Sequence, residues 1–159
     1  MSAGAFSGIS GPWGIAYDST DNEIYVSNAN NTVSVYDPYG NPISVAGQFS
    51  GLNVPDDISY DAATGNIMVV NDGNNAVSTF DINGNTINMS GGFPGLDTPD
   101  EITSDGNIQS PTYYVANLGY NSLSGYISVF DNQGNALTTA GGFPGLVLPT
   151  AVIVVQQPQ

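Results

Sequence analysis

The chain has 159 residues and charges of one sign only: twelve Asp and two Glu, no Lys, Arg, His or Cys, and a formal charge of −14. Without basic side chains it can neither release counterions from nucleic-acid phosphates nor lay a polybasic patch on anionic lipid, so both partner classes are excluded. The same absences exclude disulfides, thiolate or histidine metal sites, Ser-His-Asp and Cys-His triads, Schiff-base lysines and arginine clamps.

The first residues show neither a basic n-region nor a continuous apolar h-region, so Met1 is not expected to open a signal peptide. No apolar run approaches the roughly 18 residues of a membrane-spanning helix. Residues 1–9 instead carry the first copy of a recurring phrase. It reads AGAFSGISGP, then AGQFSGLNVP from Ala46, SGGFPGLDTP from Ser90 and AGGFPGLVLP from Ala140. Its phenylalanines are Phe6, Phe49, Phe93 and Phe143, at intervals of 43, 44 and 50 residues. A period of this length marks a repeat architecture. The phenylalanines, returning at each repeat boundary, are expected to pack between neighbouring units.

Unit one runs from about 11 to 53 and offers four short apolar stretches, Trp13–Tyr17, Glu23–Ser27, Thr32–Tyr36 and Pro42–Val45. Each is rich in Val, Ile and Tyr and is bounded by Asn, Asp, Gly or Pro, the composition of a strand. Val33 and Val35 alternate with polar neighbours at the two-residue period of a half-buried strand. Unit two, 54–97, repeats the plan with Asp57–Tyr60, Asn66–Val70, Ala76–Phe80 and Thr86–Met89. Unit three, 98–147, does so with Glu101–Ser104, Thr112–Ala116, Tyr126–Phe130 and Ala136–Thr139, and places its extra residues in two loops. The remaining stretch, 148–159, reads as one more first strand, Ala151–Val155. Nowhere does a 3.6-residue period persist, so the chain is expected to be all-β.

Four strands per unit at this period predict a β-propeller blade. The segments IYVSN–ANNTVSVYD (Ile24–Asp37), MVVN–DGNNAVSTFD (Met68–Asp81) and YYVAN…YISVFD (Tyr113–Asp131), with the Pro-x-x-Ile openings at Pro12 and Pro55, resemble NHL and YVTN propeller repeats. The resemblance covers nearly the whole chain and implies three four-stranded blades plus an extra C-terminal strand. Propellers carry roughly four to eight blades, so the ring is expected to be completed by association: a six-bladed dimer, an open filament, or further blades of a longer protein. Ala151, Val152, Ile153, Val154 and Val155 are the candidate assembly strand.

Candidate chemistry gathers at three places. Asp56-Asp57 and Asp100-Glu101 follow the repeat proline in units two and three, where a propeller turns towards the mouth of its central channel. Four converging carboxylates are the hard oxygen set that suits Ca²⁺; solvated turn acids are the plainer alternative. The equivalent residues of unit one are Trp13-Gly14, and those of the final stretch are Thr150-Ala151. The Asn-rich loops 28–31, 71–75 and 117–125 are expected on the same face. There Trp13, Asn30, Asn74, Tyr120 and Leu123 form a candidate partner or glycan surface, by stacking and amide hydrogen bonds. The D-x-x-G-N segments at Asp37, Asp81 and Asp131 look like calcium-loop fragments but lack the full signature, and are read as hairpin turns.

No enzyme is expected, since only carboxylate chemistry through Asp56, Asp57, Asp100 and Glu101 survives the composition. The absence of tryptic sites, and a charge that falls towards zero in acid, suit an extracellular or cell-surface setting. The resulting expectation is a structural, self-associating protein, with a glycan- or Ca²⁺-binding module as the alternative.

Overall fold

The computed structural model describes residues 6–119, 125–138, 143, 146–147 and 149–153. Sheet one joins β1 (Pro12–Asp18), β2 (Glu23–Asn28), β3 (Thr32–Tyr36) and β4 (Pro42–Ile43) as an antiparallel meander. Sheet two repeats it with β5 (Pro55–Asp61), β6 (Asn66–Asn71), β7 (Ala76–Phe80) and β8 (Thr86–Ile87). Sheet three holds β9 (Pro99–Ser104), β10 (Tyr113–Asn117) and β11 (Tyr126–Phe130). The expected fourth strand of unit three, Ala136–Thr139, is reduced to a bridge between Phe130 and Ala136 and a Leu137 N–H donated to the Val129 carbonyl at 2.8 Å. Thr139 lies outside the described residues. The outer strands β4 and β8 stop two residues short of their predicted ends at Val45 and Met89. Among the described residues the only helical element is the 3₁₀ turn Asp72–Asn74 between β6 and β7.

The sheets meet through their first strands: β1 touches β5 and β5 touches β9, while β4 and β8 reach chiefly their own sheet neighbours. The first strands therefore line the inside, as in a propeller, and the cores lie between blades. Between blades one and two, Tyr25, Val35 and Ala16 face Ile58, Ile67, Val69 and Phe80. Between blades two and three, Met68 and Val70 face Ile102, Tyr113, Val115 and Phe130. Phe49 enters the first core edge-on to Phe80, with centroids 5.1 Å apart, and Phe93 enters the second edge-on to Phe130 at 5.0 Å. Phe49 and Phe93 thus pack between blades, as their return at the repeat boundaries predicts, while Phe6 and Phe143 are exposed.

The phrase and the D-x-x-G-N segments hold each other. Asp81 accepts the N–H groups of Asn83 and Asn85, both at 2.9 Å, and Asp37 and Asp131 do the same in their own hairpins. These segments are turns. The linker then hydrogen-bonds across the turn of the next blade: the Gly47 N–H donates to Asn83 and the Phe49 N–H to Gly84, as Gly91 and Phe93 do to Gln133 and Gly134. At Gly47 and Gly91 a Cβ would collide with the backbone of that turn. A glycine before each phenylalanine is the condition for this close approach.

Candidate functional site

In each blade a β-bulge shapes the first strand. Pro12 pairs with Asn28 and Ile15 with Val26, so Trp13 and Gly14 together face one residue of β2. Pro55 and Ile58 enclose Asp56 and Asp57 in the same way, and β9 shifts register between Pro99 and Glu101. β5 and β9 begin at Pro55 and Pro99, two residues before their expected starts at Asp57 and Glu101, so both members of each acid pair lie inside a first strand. A bulge redirects side chains from the alternation of a regular strand. Here it brings Trp13, Asp56, Asp57, Asp100, Glu101 and Thr150 to one cleft of about 310 Å³. Trp13, Asp56, Asp100 and Thr150 are repeat equivalents, so the cleft runs along successive first strands on the inner side of the blades.

The carboxylates in it are costly to ionise. Burial, and then the charges of Asp100 and Asp72, push Asp56 up to about 6. Burial also pushes Asp57 up to about 6, against the N–H groups of Ile102 and Ile58, which favour its charged form. Asp100 is raised by burial and by Asp72. Glu101 is raised by burial and Asp100, and is opposed by the Val152 N–H.

Two of the four acids are committed to the fold. The Ile102 N–H, on blade three, donates to the Asp57 carboxylate on blade two at 3.1 Å. The Val152 N–H donates to the Glu101 carboxylate in the same relation, because Val152 is the repeat equivalent of Ile102. Asp57 is a clamp between the adjacent first strands β5 and β9, and Glu101 clamps β9 to the segment that follows blade three. No group of three or more Asp or Glu side chains among the described residues stands close enough to hold a metal ion. The two acid pairs share one cleft, but among the described residues they form no calcium-type ligand set.

Asn30 and Asn74 do not line the cleft. Asn30 is exposed and accepts a hydrogen bond from the Thr32 hydroxyl at 2.7 Å, closing its own loop. Asn74 is exposed in the 3₁₀ turn. Tyr120 and Leu123, and Val154 and Val155 of the candidate assembly strand, lie outside the described residues. The expected strand Ala151–Val155 is not formed over its described part, Ala151–Ile153, whose Val152 N–H is given to Glu101.

The first asparagine of each Asn-rich loop is one the sequence reading left undistinguished. Asn28, Asn71 and Asn117 are sealed from solvent. Each side-chain oxygen accepts an N–H from the linker before its blade: Ser10 at 3.0 Å, Asn53 at 2.9 Å and Asp97 at 3.0 Å. The signal for them was their recurrence as the last residue of the second strand in all three repeats.

No protein-family model matches the chain, and no curated protein is detectably similar to it in sequence. Solved structures do match in shape. A chain of the nidogen/laminin complex aligns with a TM-score of 0.62 at 16% identity, covering 80% of this chain and 48% of that one. Hydrazine synthase of Kuenenia stuttgartiensis aligns at 0.59 and 17% identity, over 80% and 36% of the two chains. The gluconolactonase XC5397 of Xanthomonas campestris aligns at 0.56 and 19%, over 79% and 46%. The chain spans less than half the length of each. Together with the three radial sheets, these alignments define the architecture: the chain is a set of β-propeller blades.

Proposed function

We propose that this chain is a non-enzymatic, self-associating propeller module of the NHL/YVTN kind, a building block of an extracellular filament or surface layer. The observation that carries this reading is the fate of equivalent residues along the repeat. Ile58 and Ile102 are each 2% exposed between blades, whereas Ile15, at the same position on blade one, is 70% exposed. Phe49 and Phe93 are 1% and 3% exposed, whereas Phe6 and Phe143 at the two ends are 38% and 54% exposed. The outer flanks of blades one and three thus repeat the two halves of a blade–blade interface, and a head-to-tail second copy fits them. The lack of His, Cys, Lys and Arg supports a role without catalysis.

The test is mass in solution by light scattering over a concentration series. The expected result is a mass rising above the 16.4 kDa of one chain, with a plateau at two copies for a closed ring and continued growth for a filament. Ile15→Asp should return the protein to the monomer by at least a tenfold shift in midpoint. A chain that stays monomeric throughout, both as wild type and when shortened to end at Val147, overturns the proposal.

A second reading is a glycan-binding module. The observation favouring it is Trp13, 65% exposed beside the half-buried carboxylates of the cleft, an arrangement that pairs a stacking face with hydroxyl acceptors. A glycan array read against Trp13→Ala separates it from assembly.

A further inference from the structure

We propose that residues 149–153 sit in the seat on blade three that the β1 strand of a second copy takes on association, so that the chain gates its own head-to-tail assembly. This rests on the self-association reading above and specifies its docking surface and the competitor for it.

Three contacts define the seat. The first is the clamp: Glu101 takes the Val152 N–H as Asp57 takes the Ile102 N–H one blade earlier. The second is the cleft, where Thr150 continues the row of Trp13, Asp56 and Asp100. The third is Pro149, the equivalent of Pro99 and Pro55, whose ring packs where any Cβ on Gly125 would collide with it. Residues 149–153 therefore stand where the first strand of a following blade stands.

Among the described residues the segment forms no strand. Ala151 and Ile153 are exposed, and no ladder pairs the segment to another strand among the described residues. β9, in the equivalent seat on blade two, is by contrast backed by the ladder to β10 and buries Ile102. An incoming β1 brings a complete sheet with it. It offers the Ile15 N–H at the position of Val152. It also carries Gly14 where blades two and three carry Asp57 and Glu101, so it adds no carboxylate beside Glu101. Displacement exchanges a segment outside any described strand for a blade that buries Ile15.

The primary test is Val152→Pro in the full chain, which removes the N–H given to Glu101. A chain ending at Val147 is the second variant, and far-UV circular dichroism is recorded for both. Sedimentation velocity should show association midpoints at least tenfold lower than wild type, with unchanged spectra. An unchanged midpoint overturns the gate. A raised midpoint overturns it too, and means that the segment joins subunits. If wild type associates and Ile15→Asp abolishes this while both variants behave as wild type, only the gate fails. If wild type and both variants stay monomeric at every concentration, the self-association reading fails with it.

Discussion

Asn71 sits at the end of β6 without access to water, so both ends of its amide must find protein partners. Its oxygen accepts the Asn53 N–H, and its nitrogen donates to the Val69 carbonyl at 3.1 Å and the Ser78 hydroxyl at 3.0 Å. One side chain thereby ties the linker to strands two and three of the blade, and Asn28 and Asn117 repeat the arrangement. Neither Asp nor Ala can replace it: Asp loses the donor and buries a charge, while Ala strands the linker N–H. We expect Asn71→Ala to cost about 2–4 kcal/mol, from buried groups at roughly 1–3 kcal/mol each, read as a lower urea midpoint with an unchanged slope. The equivalent change at exposed Asn30 should leave the midpoint within about 0.5 kcal/mol of wild type. The same residue type thus has two roles in one loop, and sequence distinguishes them only by register. Position 28 ends a strand, whereas 30 lies in the turn beyond it. The left-handed positions of these loops are Asn31 and Asn75, at φ 63° and 53°, which also accept the Val54 and Thr98 N–H groups, both at 2.8 Å.

The unit of stability is the interface between blades, and the phrase that precedes each blade seals it. Phe93 lies against Phe130 and Tyr113 in a core shared with Met68 and Val70 of the blade before. Truncating such a ring leaves a cavity that close-packed sheets refill poorly, so Phe93→Ala should cost about 3–5 kcal/mol. Phe143→Ala, at the same repeat position on an open flank, should cost the monomer less than about 1 kcal/mol. Denaturant unfolding of both in dilute protein checks this; equal losses would mean that the flank of blade three is already covered. Much of this architecture was legible. Val, Ile and Tyr alternate between Asn, Asp, Gly and Pro clusters, so β2, β3, β6, β7 and β11 begin and end within about one residue of their predicted limits. The bulges were not legible, because no residue type marks a bulge: Pro-x-x-Ile reads equally well as a turn before a strand. The outer strands were overestimated for a related reason. Val45 and Met89 suit a strand, but the chain there leaves the sheet to form the linker that carries each phenylalanine. The gathering of the acid pairs was legible from their shared repeat position. Their clamping of the segment one repeat further on was not, since it depends on N–H groups 45 and 51 residues away.

At the scale of the whole molecule, two sets among the fourteen acids, in a chain with no basic side chain, respond to pH in opposite senses: three in the hairpin turns and four in the cleft. Asp37, Asp81 and Asp131 are held below their usual value, chiefly by hydrogen bonds within their turns for Asp37 and Asp131, while burial works against the same bonds at Asp81. Their stabilisation is present above the unfolded value of about 4 and is lost as pH falls through the lower folded one. The cleft acids run the other way. With Asp56 and Asp57 at about 6 and Asp100 and Glu101 also raised, the folded chain binds more protons than the unfolded chain between roughly pH 4 and 6. Stability therefore declines as pH rises through that window and is fully regained below it, until the turn acids begin to protonate. Thermal unfolding followed by circular dichroism should accordingly show a Tm highest near pH 4 to 5 and lower at both pH 7.5 and pH 3. Asp56 isolates the cleft contribution, because it makes no clamp of the Asp57 type. Asp56→Asn removes a charge that burial and Asp100 oppose. It should raise Tm at pH 7.5 by about 1–2 °C, a shift limited by solvent screening at a partly exposed site. The gain should vanish at pH 4.5, where wild-type Asp56 is already neutral. If Asp56→Asn instead lowers Tm at pH 7.5, the ionised carboxylate has a favourable partner in the cleft, and the inner wall of the propeller is a binding surface in its own right.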